Sequence, residues 1–332
     1  MRTELSHRPD IASLIGGGGS ESAEPPPFVW RNGEVIPWGD ATIQVHDFIY
    51  AAPSIVFEGI KAYIGAGGLT VFRLDDHLDR FFDSMKMLRM RPAISKEALK
   101  AGVMDLIRAN KFPADVYVVP FAFWSGGGLS RAFSVPEPDR SVELCIVARP
   151  FAAAPANRVS LNCCVSSWLR VPDTMAPPRV KAVANYYSWR LAYADAQAGG
   201  FDSLIMLGPS GKVSEGPGAC VFLCRDGEVI TPDTVSGILE GITRDTALTL
   251  LADELKLRVV ERSVDRSEFY VGDEAFFAGT GLEIAAIASL DAIPIGDGEI
   301  GPITTALQSL YDDVVRGRKS GYQHWLTPLT GP

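Results

Sequence analysis

Residues 179–194 read RVKAVANYYSWRLAYA, and the one lysine in this stretch, Lys181, lies among small apolar residues just ahead of a predicted helix. A lysine in such a place has two interpretations. Its stem can cover apolar surface while its ammonium group stays in water. Alternatively, the amine is withdrawn from water, which lowers the pKa of a lysine and makes it a nucleophile. The choice between them depends on what the rest of the chain places near this amine.

Length and composition indicate a globular protein of two domains. The chain has 332 residues, of which 47% are hydrophobic and 21% are charged, close to the averages of globular proteins. The formal net charge is −9 and no run of five basic residues occurs, which argues against nucleic acids and anionic membranes as partners. No apolar run reaches about 18 residues, so we expect no membrane span. The N-terminal residues have no apolar signal region, so we expect no signal peptide.

The cysteines and histidines argue against disulfides and metal. The chain has five cysteines, two of them adjacent and none in a CxxC pair, and four histidines that are far apart in the sequence. An odd number of cysteines without such pairs is typical of reduced thiols in a cytoplasmic protein. We therefore predict a cytoplasmic location and no metal site.

Hydrophobic periodicity divides the chain into four segments. Residues 1–27, rich in glycine and proline, are predicted to form a flexible extension. Residues 28–151 combine strands with helices and are predicted to form a smaller α+β domain. Residues 152–158 are a predicted linker, and residues 159–332 are predicted to form a larger domain. The predicted helices span residues 74–90, 95–110, 186–197, 243–257 and 301–317, and Ser95 and Asn185 are predicted N-caps. Residues 54–63 (SIVFEGIKAY) are a predicted strand, Asn32-Gly33 and Asp226-Gly227 are predicted turns, and residues 203–232 are predicted to form short antiparallel hairpins.

Three weak signals point to an anion-binding site. Thr243 opens a predicted helix, where free backbone N–H groups and the helix dipole attract anions, although an ordinary N-cap is by itself the commoner explanation of such a threonine. Thr280, in AGTGLE, follows a buried strand and offers backbone donors. Arg73 ends the strand LTVFR, where a salt bridge to Asp75 or Asp76 is the alternative explanation. Neither GxxxxGK[ST] nor GxGxxG occurs, so we predict neither a P-loop nor a dinucleotide site.

Glu215 is a candidate partner for a cationic ligand. It lies in KVSEGPGACVFL, between a glycine-rich bend and a wholly apolar strand, unless it is simply a hairpin glutamate in water. A buried carboxylate needs a partner, and a protonated ring nitrogen is one. A lysine in apolar surroundings, a tyrosine five residues later, a carboxylate and an anion-binding helix start are together what pyridoxal 5′-phosphate needs. We therefore predict this cofactor.

Four motifs, in this order along the chain, resemble those of the fold type IV pyridoxal-phosphate enzymes, most closely the branched-chain amino acid aminotransferases. The resemblance covers residues 28–327. It implies a smaller N-terminal α+β domain and a larger C-terminal α/β domain shaped as a pseudo-barrel, as in D-amino acid aminotransferase. It also implies a homodimer or larger homo-oligomer, with the site between the domains and capped by a loop of the neighbouring subunit. The motifs are VSSWLRVPDTMAPPRVKAVANYYS (165–188), GKVSEGPGACVF (211–222), LEGITRDT (239–246) and FFAGTGLEI (276–284).

The same resemblance implies the residues that bind the cofactor. Lys181 would be the catalytic residue that forms the Schiff base and moves the proton. Tyr186 would bond the ring oxygen, and Glu215 would pair with the pyridine nitrogen. The phosphate would be held by Arg73, Ile242, Thr243 and Thr280.

For the substrate, the resemblance rests on FEGIK (57–61) and on the tyrosine of VYVVP. Phe57 and Gly59 would line the side-chain pocket. Tyr117 would bind the substrate carboxylate together with the backbone of Thr280 and Gly281.

The substrate motifs also depart from the branched-chain pattern. That pattern has an arginine two residues after the tyrosine, which receives the side-chain carboxylate of glutamate, whereas this chain has Val119. The aromatic residue upstream of FEG is displaced, because Tyr50 is out of register. Arg131, in the loop FWSGGGLSRAFS, could supply the missing cation or could be an ordinary surface arginine.

These features predict a transaminase that moves an amino group between a hydrophobic, branched-chain-like amino acid and a 2-keto acid by ping-pong chemistry. Three alternatives remain open at this point. One is a lyase of the aminodeoxychorismate type, and another is an aminotransferase for D-amino acids or (R)-amines, which the run FRLDDH also resembles. The third is a cofactor-binding protein without turnover.

Overall fold

The computed structural model describes residues 24–125, 141–151 and 160–329. Three expectations fall on residues outside these ranges: most of the predicted extension, the predicted linker, and the role considered for Arg131.

The described residues form seventeen strands and seven α-helices. The strands are β1 (Phe28–Arg31), β2 (Glu34–Pro37), β3 (Val56–Phe57), β4 (Ile60–Gly65), β5 (Gly68–Phe72), β6 (Val116–Trp124), β7 (Val142–Pro150), β8 (Ser160–Leu169), β9 (Ser203–Leu207), β10 (Glu215–Gly216), β11 (Ala219–Arg225), β12 (Glu228–Thr231), β13 (Arg258–Glu261), β14 (Glu274–Gly279), β15 (Glu283–Leu290), β16 (Ile293–Pro294) and β17 (Leu326–Pro328). The helices are α1 (Val45–Ser54), α2 (Leu74–Met87), α3 (Lys96–Asn110), α4 (Tyr187–Ala198), α5 (Ile242–Asp253), α6 (Arg266–Phe269) and α7 (Pro302–Val315). In this part of the chain no helix is long and apolar enough to cross a membrane.

The first sheet is antiparallel and has the strand order β17-β5-β4-β6-β7-β1-β2, with β3 paired to β6. Helix α2 covers it with the apolar face that the sequence predicts, and Leu74, Leu78, Phe81 and Met85 are buried. Helix α3 begins where Ser95 accepts a hydrogen bond from the N–H of Ala98 (3.2 Å), as predicted for its cap.

The second sheet has nine strands and mixes both strand directions. Its order is β13-β12-β11-β14-β15-β8-β9, with β10 on β11 and β16 on β15. The predicted short antiparallel hairpins are confirmed, since β11 pairs antiparallel with both β10 and β12. In addition, β8 runs parallel to both β9 and β15, and β12 runs parallel to β13. Parallel neighbours need a crossover connection, and α4 lies in the connection between β8 and β9, while α5 lies in that between β12 and β13.

Two tight turns follow directly from their residues. Asn32 and Gly33 join β1 to β2 with φ of 49° and 109°, and Asp226 and Gly227 join β11 to β12 with φ of 52° and 78°. Positive φ at both central residues is the geometry that Asn-Gly and Asp-Gly favour in two-residue hairpins. Both predicted turns are therefore confirmed.

Two elements differ from the sequence expectation. Helix α1 was not predicted, because Pro53 lies inside it and no side chain caps its start. Strand β17 comes from the end of the chain but pairs with β5 in the first sheet. Residues from the segment assigned to the second domain therefore complete the sheet of the first.

Candidate active site

One pocket collects ten of the eleven residues predicted for the cofactor and substrate. It encloses an empty volume of about 690 Å³, part of it open to solvent, and draws its walls from both sheets. The ten residues are Phe57, Gly59, Tyr117, Lys181, Tyr186, Glu215, Ile242, Thr243, Thr280 and Gly281.

The amine of Lys181 points into this pocket. Its Nζ lies 2.8 Å from the hydroxyl oxygen of Tyr186 and 4.8 Å from the centre of the Phe57 ring. The backbone at Lys181 is fixed as well, since its carbonyl accepts from the N–H of Phe57 (3.0 Å) and its N–H donates to Ser84 Oγ (3.2 Å). The lysine therefore lies against aromatic rings inside the site.

Asn185 stabilises the segment around the lysine, whereas the sequence suggested it as a helix cap. Helix α4 begins after Tyr186, with no side-chain cap. The amide of Asn185 is buried and donates to the carbonyls of Pro177 (3.0 Å) and Val180 (2.8 Å). These two bonds close the loop that presents Lys181.

Glu215 is buried in the pocket wall beside a cation that the sequence analysis missed. Nε of Arg170 lies 2.8 Å from Oε1 of Glu215 without the alignment of a hydrogen bond, and both side chains are less than 5% exposed. The N–H of Leu239 donates to Oε2 (3.0 Å). Burial raises the pKa of Glu215, and the charge of Arg170 and the Leu239 N–H oppose that rise. Arg170 lies within the motif SSWLRVP, where its apolar neighbours are the only signal of burial.

The start of helix α5 forms another part of the wall. Its N-cap is Gly241, so Thr243 is the second residue of the helix and not the cap that the sequence suggested. A glycine cap offers no side-chain acceptor, which leaves the first-turn N–H groups of Ile242 and Thr243 available to an anion.

Among the described residues, Arg73 is the one predicted site residue that does not line this pocket. Its guanidinium lies 2.7 Å from Asp76 and 2.5 Å from Asp245, and it braces the first turn of α5 from outside. Arg80, two helical turns further along α2, lines the pocket instead. Of these two arginines, Arg80 is therefore the one that reaches the pocket.

A buried carboxylate fixes the position of Arg80. Glu58, which is 0% exposed, accepts two hydrogen bonds from Arg80, from Nε (2.7 Å) and from Nη2 (2.8 Å). Nδ1 of His77 lies 2.8 Å from the same carboxylate. Burial alone would raise the pKa of Glu58, but Arg80 and His77 hold it well below its ordinary value. The fork-to-fork geometry fixes the plane of the guanidinium at the pocket.

On the substrate side of the pocket, Gly59, which lies between β3 and β4, is in close contact with Tyr117 of β6. A Cβ on Gly59 would lie 2.0 Å from the hydroxyl oxygen of Tyr117, so only glycine lets this tyrosine reach the pocket. The turn at Thr280 and Gly281 forms the facing wall. Lys61, 2% exposed, holds that turn by donating to Glu283 (2.9 Å) and to the carbonyl of Gly281 (3.2 Å).

Comparison with known proteins matches residues 55–290 to the family model of amino-transferase class IV. The chain belongs to the class IV aminotransferases. This aminotransferase is 34% identical to the branched-chain-amino-acid aminotransferase of Pseudomonas aeruginosa over 304 residues, covering 90% of this chain and 96% of the relative. It is also 34% identical to the probable branched-chain-amino-acid aminotransferase of Aquifex aeolicus, covering 91% and 96%.

Solved structures confirm the predicted fold type IV architecture of this aminotransferase. The PLP form of branched-chain amino acid aminotransferase from Thermobaculum terrenum has a TM-score of 0.88 and 44% identity, covering 93% of this chain and 100% of that one. The branched-chain aminotransferase of Thermoproteus uzoniensis with norvaline has a TM-score of 0.84 and 36% identity, covering 91% and 99%.

Pyridoxal phosphate is the cofactor of this aminotransferase, and the pocket fits it. The wall contains an amine, a buried carboxylate and a helix start without a side-chain cap, each suited to one part of that molecule. Cys220 also lines the pocket, but burial raises its pKa to about 12, so it is a neutral thiol. Within the described ranges, no group of three His, Cys, Asp or Glu side chains is arranged to hold a metal ion.

Proposed function

We propose that this aminotransferase moves an amino group between a hydrophobic, branched-chain-like amino acid and a 2-keto acid. The observation that carries the proposal is the amine of Lys181, 2.8 Å from Tyr186 in a pocket that also contains Glu215 and the start of α5. The names of the relatives support the substrate class, and the rings of Phe57 and Tyr186 (5.2 Å apart) give the pocket apolar surface beside the amine.

The residues that would hold the cofactor follow from the pocket wall. Lys181 would bind it covalently, Tyr186 would bond the ring oxygen, and Glu215 would pair with the ring nitrogen. Its phosphate would lie against the N–H groups of Ile242 and Thr243, which the helix dipole favours. Thr280 and the guanidinium of Arg80, in place of Arg73, complete this phosphate site.

The protein's chemical contribution is proton transfer and charge placement. When bound, the cofactor supplies an electron sink that stabilises the carbanion formed at the substrate's α-carbon. Nζ of Lys181, once free, accepts the proton from that carbon and later donates it, as a general base and then an acid. The Tyr186 hydroxyl, 2.8 Å away, holds Nζ in place. Glu215, paired with Arg170, keeps a negative charge beside the ring nitrogen.

The substrate's α-carboxylate would bind between the two walls of the pocket. Tyr117 offers its hydroxyl, and the Thr280–Gly281 turn offers backbone N–H groups. Burial raises the pKa of Tyr117, so its hydroxyl keeps its proton and can donate to an anion.

The quaternary state and location are part of the same proposal. A homodimer or larger homo-oligomer is supported by large apolar side chains exposed near the site, namely Trp168, Leu169, Met175 and Tyr187. A cytoplasmic location is supported by the five cysteines, all of which are free. Light scattering during size-exclusion chromatography should give at least twice the mass of one chain.

The deciding experiment is a panel of L-amino acids with 2-oxoglutarate and with pyruvate, using the purified protein. We expect leucine, isoleucine and valine to give no more than one equivalent of keto acid per subunit without an acceptor, and many equivalents when an acceptor is present. Repeated turnover without an acceptor would instead indicate a lyase. No conversion of any hydrophobic L-amino acid would refute the proposal.

Replacing Lys181→Ala should abolish the cofactor's near-visible absorption band and lower the turnover number by at least about a thousandfold, since both covalent binding and proton transfer are lost. Lys212→Ala is the matched control, because Lys212 is a surface lysine paired with Asp265. An unchanged band in Lys181→Ala would contradict the assignment of this amine.

A further inference from the structure

Arg73 joins three parts of the fold, although it does not line the pocket. It directly precedes α2 and has the left-handed backbone conformation, with a φ of 49°. A residue other than glycine keeps this conformation where the surrounding structure fixes it. The N–H of Arg73 donates to the carbonyl of Trp325 (2.7 Å), and its guanidinium reaches the first turn of α5. Arg73 therefore lies where α2, α5 and the C-terminal segment (residues 321–328) meet.

The guanidinium of Arg73 connects the first turn of α5 to α2. Its Nη1 donates to the carbonyl of Ile242 (3.3 Å) and to the hydroxyl of Thr246 (3.1 Å). The same nitrogen donates to Asp245 (2.5 Å), and Nε donates to Asp76 on α2 (2.7 Å). Only 10% of the side chain of Arg73 is exposed. One largely buried cation thus contacts both helices.

The C-terminal segment holds this guanidinium in place. Its central carbon lies 4.9 Å from the centre of the Trp325 ring. Stacking on an aromatic ring is a favourable contact for the planar guanidinium group. The residue after Trp325, Leu326, begins β17 and pairs with Phe72, the residue before Arg73. The backbone and the side chain of Arg73 are therefore both tied to this segment.

The bond to the Ile242 carbonyl acts on the proposed phosphate site through a single peptide unit. The C=O of Ile242 and the N–H of Thr243 belong to one planar trans peptide, so they point in opposite directions. At the start of a helix the free N–H groups point outward, where an anion can bind. A cation that holds the carbonyl therefore fixes the direction of the N–H. It also polarises the peptide, which strengthens that N–H as a donor.

The bond to Asp76 connects the same turn to the other part of the phosphate site. Arg80, on α2, is the guanidinium proposed to bind the phosphate, and its Nη1 donates to the carbonyl of Glu240 (2.8 Å), just before α5. We infer that Arg73 is a positioning residue that sets the distance between Arg80 and the first-turn N–H groups of α5, and thereby the affinity for the phosphate group of the cofactor. The inference rests on the phosphate site of the proposed function.

Binding of pyridoxal 5′-phosphate and of pyridoxal, which lacks the phosphate, separates this role from a general structural one. Both aldehydes can be titrated into the full-length, cofactor-free chain by following absorbance. We expect Arg73→Met to raise the Kd for the phosphate form about tenfold or more and to change the Kd for pyridoxal less than about threefold, since only the first has the group that the site binds. Arg73→Lys, which keeps the charge but not the fork, should lie between Arg73→Met and the wild type. An equal change for both aldehydes, or no change for either, overturns the inference.

Three further variants complete the test. Trp325→Leu removes the stacking partner and should raise the Kd for the phosphate form alone, about threefold or more, which gives a second measurement should Arg73→Met not fold. Arg258→Met, at an exposed arginine paired with Glu228, is the control and should bind both aldehydes as the wild type does. Arg80→Met should lose the preference for the phosphate form. If it does so while Arg73→Met keeps the preference, this inference alone is refuted. If Arg80→Met keeps the preference, the proposed phosphate site is wrong and the inference fails with it.

Discussion

At the scale of single residues, Glu58 shows how a side chain outside the reacting groups determines the site. It is fully buried and compensated by Arg80 and His77. Glu58→Gln should lower the free energy of unfolding by about 3–5 kcal/mol, because it leaves the largely buried guanidinium of Arg80 without its carboxylate. It should also raise the Kd for pyridoxal phosphate about tenfold or more, because Arg80 loses its fixed orientation. Chemical denaturation and absorbance titration would measure the two effects.

The pH dependence of this effect follows from the sign of the shift. The pKa of Glu58 is lowered in the folded protein, so its stabilisation is complete above the ordinary carboxyl value of about 4.5 and is lost as pH falls below it. The difference in unfolding free energy between wild type and Glu58→Gln should therefore be constant from about pH 8 to 5 and should shrink in more acidic solution. Asp79→Asn, which breaks the exposed pair with Lys96, is the control and should cost no more than about 1 kcal/mol. A difference that grows on acidification would contradict the assignment.

The same residues show what the sequence could and could not predict. Lys181, Tyr186 and Glu215 stand in motifs whose chemistry is local, and the pocket brings all three together. Arg73 directly precedes helix α2, and Arg80 lies within it. Which of the two arginines faces the pocket depends on how this helix packs against the rest of the fold. The pattern did contain a signal, since His77, Arg80 and Ser84 are polar residues spaced three and four apart beside an apolar face.

At the scale of elements, predictions held where the cause is local. The hairpin turns and the cap of α3 depend on two to four neighbouring residues. The parallel pairing of β8 with β9 and β15 depends on residues that are far apart in the sequence, and no short pattern encodes it. The run SIVFEGIKAY was predicted as one strand, but it breaks at Glu58 and Gly59 into β3 and β4. That break is what turns Glu58 towards Arg80 and gives Tyr117 its space.

The break between β3 and β4 predicts the effect of a single methyl group. In Gly59→Ala the new Cβ would lie 2.0 Å from the Tyr117 hydroxyl oxygen and 2.8 Å from its Cζ, so the tyrosine must move. We expect KM for the amino acid to rise about tenfold or more, because the α-carboxylate loses this donor. Steady-state kinetics of Gly59→Ala, Tyr117→Ala and the double variant would test it. The two effects should be strongly non-additive, and simple additivity would argue against a shared contact.

At the scale of the whole molecule, the two sheets are joined at several points. Strand β17 returns from the end of the chain to pair with β5. Arg316, just after α7, forms an ion pair with Asp115, which precedes β6 (2.9 Å). Lys61 of the first sheet contacts Glu283 of the second. Because the pocket takes its walls from both sheets, these connections keep the distance between its walls constant.

The Lys61–Glu283 pair makes the last prediction, since it is buried and lies beside the substrate wall. Glu283 also accepts from the Tyr63 hydroxyl (3.0 Å) and has a φ of 56°, a conformation that its partners must maintain. Lys61→Met would leave the carboxylate without its cation, and we expect it to cost about 3–5 kcal/mol of unfolding free energy and to raise the substrate KM as the Gly281 carbonyl loses its donor. Adding Glu283→Gln should recover much of the stability, because the isolated charge is gone, but not the KM. Denaturation and kinetics of both single variants and the double variant would measure this. If the double variant were as unstable as the sum of the single ones, the two side chains would not act as a pair.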